Sequence, residues 1–275
     1  MRRAHLRRLF ETVGLLNVAR EARDALLSVR ELRANLPYWL RGADDALPVP
    51  PLRLVRSATG TSSLTWAFHS GGLAARSIVD ALQAHGADIQ QCRRILDFGC
   101  GFGRVIRHWA PLDAEIHGCD YNRAAIAWCR RRLTFARFEA NRLEPPLPYD
   151  SGRFDLVYAL SVFTHLPGPL FAAWRDELFR IVGPGGFAVV TTHGEAYLEE
   201  LTEEERQQFR SGHAVVRNDR EPGTNRCAVY CSEQYVRRTF ADRFAVVAFV
   251  PQGARGNPHQ DLVLLRKMPR ETPGG

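Results

Sequence analysis

The sequence predicts a doubly wound α/β fold, and three patterns predict it. From about residue 95 onward, short apolar runs alternate with longer stretches of helical period. The runs are apolar throughout rather than at every second residue, which marks parallel strands covered on both faces. The last two runs, Phe244–Val250 and Asp261–Arg266, are joined only by PQGARGNPHQ, a loop of ten residues that lets them pair antiparallel. Helices on both faces of a mostly parallel sheet follow from that arrangement.

Each element has its own signal. Between Arg2 and Leu36 the residues Leu6, Leu9, Phe10, Val13, Leu16, Ala19, Leu26 and Leu27 recur at helical spacing among Arg and Glu. This amphipathic segment reads as a lid, a homodimer element, a membrane-surface helix or a helix packed on its own domain. Pro37 and LPVPPLR at 47–53 interrupt it, which puts a boundary near 37–55. The chain thus divides into an N-terminal helical extension with linker, 1–55, and a main domain, 56–270. After SATGTSSLTWAFHSGG, a helix is expected over 73–85, entered after the glycines. Then come a strand at Ile95–Phe98, a helix at Arg104–Ala110, a strand at Glu115–Asp120, a helix at Ala124–Phe135 and a short strand near Phe138. A strand at Phe154–Leu160, a helix at Leu170–Val182 and a strand at Phe187–Thr191 complete the alternation. Helices at Thr202–Arg210 and Glu233–Phe240 flank a polar stretch, 211–226, and 193–232 reads as a substrate-side insertion.

Composition narrows the class. With 275 residues, 45% hydrophobic and 24% charged, the chain can bury a sizeable core and lies far from the disordered regime. The net charge of +7 admits nucleic acid or an anionic surface, but the Arg are dispersed and no stacking motif accompanies them. No apolar stretch approaches the roughly 18–20 residues of a membrane span, and the basic start lacks a signal-peptide core. Six cysteines, several inside apolar patterns, fit a reducing, cytoplasmic setting. Cys227 and Cys231 lack a second ligand pair, so no metal is expected.

RILDFGCGFGR, residues 94–104, carries the most chemical information. It joins a strand to a helix through Gly99, Gly101 and Gly103, with Asp97 at the strand's carboxyl end. Glycines there permit positive φ and close approach of backbone to a ligand, at the sheet edge where such folds bind ligands. A dinucleotide site is the competing reading, but its G-x-G-x-x-G fingerprint would need glycine where Arg104 stands. The stretch D-F-G-C-G-x-G-R resembles motif I of the class I S-adenosylmethionine-dependent methyltransferases.

That resemblance implies a Rossmann-like, seven-stranded sheet with an antiparallel last strand, and S-adenosyl-L-methionine as cofactor. It implies that Asp97, Gly99, Gly101 and Gly103 line the pocket for the cofactor's methionine part. EIHGCD ends the second strand in Asp120, about 20 residues on, where an acid accepts both ribose hydroxyls. An alternative role for Asp120 is to cap the following helix. Tyr121 and Asn122 would flank the adenosine, and Asn141 stands near the position that reaches the adenine amino group, with the inserted EPP blurring the alignment. FDLVYALSVFTHL resembles the strand beside which the methyl is transferred, and its Ser161 leaves that strand. LFRIVGPGGFAVVTT resembles the family's following helix, Pro-Gly-Gly turn and fifth strand.

Methyl transfer to a hydroxyl or amine is an in-line displacement that needs positioning and, for a protonated nucleophile, a general base. His165 is the first candidate, a few residues beyond the fourth strand, with the side chain that titrates near neutrality. Its alternative is a packing or capping role. His193 in TTHGE is the second candidate, with Glu195 as an orienting acid. Tyr230, His259, Asp261 and His69 are further candidates, Asp261 reading otherwise as a charge that protects an edge strand. The expected activity is methylation of a small molecule at a hydroxyl, on a sugar or specialised metabolite, with substrate held by 193–232, the loop 251–260 and the N-terminal segment. N- or C-methylation and a non-catalytic cofactor-binding partner are the alternatives. A base-modifying enzyme is disfavoured, since ALSVFTHL replaces the motif that would stack an extruded base.

Overall fold

A computed structural model describes residues 31–268. The described residues fall into two compact units that divide after Ala67. In the first, helix α1 covers 31–41 and helix α2 spans Leu52–Thr59, which Gly60 ends with a left-handed φ of 73°. The buried Asn35 of α1 donates to the Ser62 carbonyl and accepts from the Leu64 amide, both at 2.8 Å. The amphipathic segment before residue 31, with its lid, dimer and membrane-surface readings, lies outside the described residues.

The second unit is built on one sheet. Strands β1 (Arg94–Phe98), β2 (Glu115–Asp120), β3 (Arg137–Ala140), β4 (Phe154–Ala159) and β5 (Val182–His193) pair in parallel in the order β3-β2-β1-β4-β5. β9 (Gln260–Arg266) lies antiparallel beside β5, and β8 (Ala245–Val250) pairs antiparallel with β9. Seven of the nine strands of this sheet thus run in the order β3-β2-β1-β4-β5-β9-β8, and among these seven β9 alone runs backward. Two short strands, β6 (Val215–Arg217) and β7 (Ala228–Tyr230), form a hairpin that joins β5 through the single pair His193 and Tyr230.

Helices α3 (Leu64–Gln83), α4 (Arg123–Arg132), α5 (Gly168–Ile181), α6 (Glu203–Arg210) and α7 (Glu233–Phe240) complete the order. Their starts follow local chemistry: Asn122 accepts from the Ala124 and Ala125 amides, Thr202 and Glu205 form a capping box, and Ser232 accepts from the Tyr235 amide. Phe98, Phe163, Phe171, Trp174 and Phe240 lie in one buried core that joins α5 and α7 to the sheet. Phe98 and Trp174 have ring centroids 4.4 Å apart.

Three local expectations are corrected. The helix expected at 73–85 is α3 and begins at Leu64, so Gly71 and Gly72 lie inside it. A side chain at Gly71 would sit 2.3 Å from the Arg104 carbonyl oxygen, so glycine is there for close approach to the loop after β1, not to open the helix. The helix expected at Arg104–Ala110 is a 3-10 turn, Ile106–Trp109, because Gly103 at φ 86° delays the helical start. The hairpin β6–β7 falls in and beside the stretch read as polar loop, since three-residue strands leave too little alternation to be seen.

Candidate active site

The sheet order reverses between β1 and β4, so the loops after their carboxyl ends diverge and leave a crevice there. Every candidate cofactor residue is brought to this edge by topology. The loop after β1 is held by two amides, Gly99 and Cys100, that donate to the Cys119 carbonyl at 2.8 and 3.0 Å. Gly99, Gly101 and Gly103 all have positive φ, at 82°, 53° and 86°. A side chain on Gly99 would lie 2.4 Å from Val162 Cγ2, and one on Gly103 2.5 Å from Leu133 Cδ1. Glycine is therefore required twice over at both positions, by conformation and by space.

Asp120 ends β2, nearly buried, and pins this loop from below. Its Oδ2 accepts from the Gly101 amide at 2.8 Å and its Oδ1 from the Asn122 amide at 2.7 Å. Burial raises its pKa, against the two backbone donors. The helix cap that Asp120 might have been is supplied by Asn122. Each Asp120 oxygen thus spends one acceptor position on the backbone and keeps capacity for another donor. Tyr121 stands beside it, about half exposed. Asn141 follows β3; its amide donates to the Asp120 carbonyl at 3.2 Å, its Nδ2 donates to the Arg142 carbonyl, and its Oδ1 is buried without a partner. A buried acceptor in that state costs free energy until a donor arrives.

Asp97 lies beside Tyr158 across β1 and β4. Burial pushes its carboxyl up to about 7, opposed by a hydrogen bond from Tyr158 and by the charge of Arg104. Trp109 Nε1 donates to Tyr158 Oη at 2.9 Å, which directs the tyrosine proton to Asp97. Ser161, at the end of β4, takes a left-handed φ of 57°, a strained conformation outside glycine. Its amide donates to Thr191 Oγ1 at 2.7 Å and its Oγ accepts from Gln260 Nε2 at 2.9 Å, while Thr191 donates to Gln260 Oε1. One network therefore ties the ends of β4, β5 and β9.

His165 and His193 meet at the same edge, with ring centroids 6.1 Å apart. His165 Nδ1 lies 2.6 Å from the Cys227 carbonyl oxygen. A carbonyl only accepts, so Nδ1 carries the proton and Nε2 keeps its lone pair. Burial lowers the His165 pKa, keeping the ring neutral at pH 7. His193 is held further down, to about 4, first by burial and then by the His165 charge. Of the two, His165 is the stronger base. The His193 ring packs on Tyr197 and Tyr230, with centroids at 4.4 and 5.4 Å.

The weaker candidates separate. Tyr230 is buried beside His193, and His259 contacts Tyr197, whereas His69 is exposed on α3. Asp261 does not protect an edge, because β9 lies between β5 and β8; it is buried, accepts from the Gln252 amide at 2.8 Å, and burial lifts it to about 6. Sequence reasoning missed Gln260, Thr191 and Asn257, whose side chains come from two strands and a loop distant in the chain. It missed the role of Gly71 too, although two glycines inside a helical pattern signal close packing. Among the described residues no cluster of three His, Cys, Asp or Glu side chains is placed to hold a metal, and all six cysteines are free and buried.

Residues 95–186 match a family model described as a methyltransferase domain. The chain is 31% identical over 128 residues to a malonyl-[acyl-carrier protein] O-methyltransferase of Salmonella typhimurium, covering 44% of this chain and 50% of the relative. It is 34% identical over 111 residues to a ubiquinone biosynthesis O-methyltransferase of Alkalilimnicola ehrlichii, covering 36% of this chain and 41% of the relative. The chain thus spans half or less of the length of these curated relatives. Among solved structures it resembles a SAM-dependent methyltransferase from Methanosarcina mazei, with a TM-score of 0.52 at 21% identity, over 68% of this chain and 98% of that one. At that identity the likeness concerns the fold.

Proposed function

We propose that the chain, whose residues 95–186 match a methyltransferase domain, is a class I S-adenosylmethionine-dependent methyltransferase that methylates a small molecule at a hydroxyl, with His165 as general base. The observation that carries the cofactor assignment is Asp120. It holds the glycine loop by one oxygen and the turn by the other, and a different residue caps the helix, so its remaining acceptor capacity is directed to the ribose diol. The other residues fit the same group. The unpartnered Asn141 Oδ1 suits the adenine amino group, and the glycines give the loop after β1 three positive-φ residues whose bare backbone can approach a ligand closely. Asp97 supplies negative charge near the cofactor's ammonium and sulfonium. Tyr121 covers the adenosine, and Ser161 shapes the strand end beside the transfer centre.

The bound cofactor supplies an electrophilic methyl on sulfur. What the chain supplies is position and a proton acceptor: His165 Nε2 takes the proton of an acceptor hydroxyl while Cys227 holds the ring by its Nδ1–H. His193 stays neutral beside it, so that the new positive charge is not opposed by a second one. The O-methyltransferases among the relatives support an oxygen atom as acceptor. The hairpin β6–β7 and the loop 251–259, which leads into β9 at the same edge, support a substrate side built from 193–232 and 251–260. Buried free cysteines support a reducing, cytoplasmic setting, and no described helix is long and apolar enough to cross a membrane. A transfer assay with tritiated methyl over a panel of small hydroxylated, amine and carbon acceptors tests the reading. Label in a hydroxyl compound supports it; label confined to amines or carbon moves the acceptor atom, and binding without any transfer turns the chain into a cofactor-binding partner.

Asp97 gives the cofactor site a pH dependence. Its carboxyl titrates at about 7 in the folded chain, and the positive charges of the cofactor favour its ionised form. Binding below that pH must therefore release a proton, so affinity rises with pH up to about 7 and levels off above it. The slope reaches at most about tenfold per pH unit. Calorimetric titrations from pH 5 to 8 check this, and a flat profile would remove Asp97 from the pocket.

A further inference from the structure

We propose that Arg104 is a positioning residue that locks the loop 251–259 onto the glycine loop, so that forming the cofactor pocket and ordering the acceptor side are one event. The proposal rests on the methyl-transfer reading of this edge. Arg104 directly follows Gly103, and its side chain turns toward the other loop rather than along its own. Nη1 donates to Ser70 Oγ at 3.1 Å and to the Gly256 carbonyl at 3.0 Å, and Nη2 donates to Asn257 Oδ1 at 2.9 Å. One guanidinium thus joins the glycine loop, α3 and the β8–β9 loop. Burial brings the Arg104 pKa down to about 10, which leaves it charged at neutral pH. A cation drawn out of water for this purpose gains from every charge-assisted bond it keeps.

The loop it grips is built to transmit the grip. The Asn257 amide donates to the Ala254 carbonyl at 2.7 Å, and the Gln260 amide donates to the Asn257 carbonyl at 3.1 Å. Gln260 in turn donates to Ser161 and accepts from Thr191, at the ends of β4 and β5. A continuous set of hydrogen bonds therefore runs from Arg104 through Asn257 and Gln260 to the strand end that precedes His165. The loop also lies backbone to backbone on α3: a side chain at Gly256 would be 2.0 Å from the Ser70 carbonyl oxygen. Arg255 adds bonds from its amide and Nε to Ser77 Oγ and from Nη2 to Asp80. The glycine loop meets α3 by the same device, at Gly71. Fixing residues 99–104 around a cofactor fixes Arg104, and Arg104 fixes the acceptor edge.

Hydrogen exchange on the full chain tests this, with and without saturating S-adenosylhomocysteine, in wild type, R104Q, R104K and N257A. Without ligand, amides of 252–259 are expected to exchange about tenfold faster in R104Q and N257A than in wild type, with R104K between them. With ligand, wild type gains protection at both 99–104 and 252–259. R104Q gains it only at 99–104, a difference that a purely structural arginine would not produce. Wild-type exchange rates in both R104Q and N257A, or equal ligand-induced protection of 252–259 in wild type and R104Q, would overturn the proposal. Failure of wild type to bind S-adenosylhomocysteine sinks the methyl-transfer reading and the coupling with it; the ligand-free rates then decide whether Arg104 anchors the loop.

Discussion

Replacing Asp120 by alanine is expected to weaken S-adenosylmethionine binding about 100-fold. Two ribose hydroxyls donating to one carboxylate make two charge-assisted bonds, each contributing about 1.5–3 kcal/mol, and the lower end of that range already sums to about two decades in affinity. The same change releases the Gly101 and Asn122 amides, so the glycine loop loses its anchor as well as the cofactor its acceptor. Asp120→Asn separates the two contributions. It keeps the shape and one acceptor oxygen and loses the charge, so its affinity should fall between wild type and alanine. A thermal melt of each variant controls for folding. Asp120→Ala that is folded and binds the cofactor within threefold of wild type contradicts the assignment of the ribose to this residue.

The second large effect is on turnover. His165→Ala is expected to lower the rate of methyl transfer by about 10²–10⁴ while changing cofactor affinity little, the range typical of removing a general base. The geometry behind this is the Cys227 carbonyl at 2.6 Å, which leaves Nε2 as the only ring atom able to take a proton. The pH profile carries a second signature. Burial holds the His165 pKa below its ordinary value, so the rate should be lost on acidification through that lowered pKa and not near 6.5. His193→Ala should cost far less, since a ring held at about 4 is a poor proton acceptor at neutral pH. An unaltered rate in His165→Ala, measured on the acceptor found in the transfer screen, would return His165 to a packing role.

Much of this molecule was legible in the sequence because its signals are local. A buried parallel strand is apolar along most of its length, so β1 and β4 stand out within a residue or two of their bounds. The glycine loop is legible for the same reason: positive φ at three closely spaced positions leaves a mark in residue identity. The sequence offered Asp120 as the alternative cap of α4, but Asn122 holds that place, because the Asp120 carboxylate turns to the Gly101 amide instead. Asp261 was misread because strand order is not a local property. A charge at the start of the last strand looks like edge protection until β8 is seen to cover that side. The network of Arg104, Asn257, Gln260 and Ser161 spans more than 150 residues of chain between Arg104 and Asn257, so no periodicity or spacing records it. His165 and His193 could each be named from the strand ends that precede them, but not their approach to 6.1 Å.

The central claim, that the glycine loop and Asp120 hold S-adenosylmethionine and not a dinucleotide, is tested most directly by calorimetric titration of the purified chain with each ligand. One S-adenosylmethionine is expected to bind per chain and to be displaced by S-adenosylhomocysteine, with no heat from a nicotinamide dinucleotide. Saturable binding of the dinucleotide without binding of S-adenosylmethionine would contradict it.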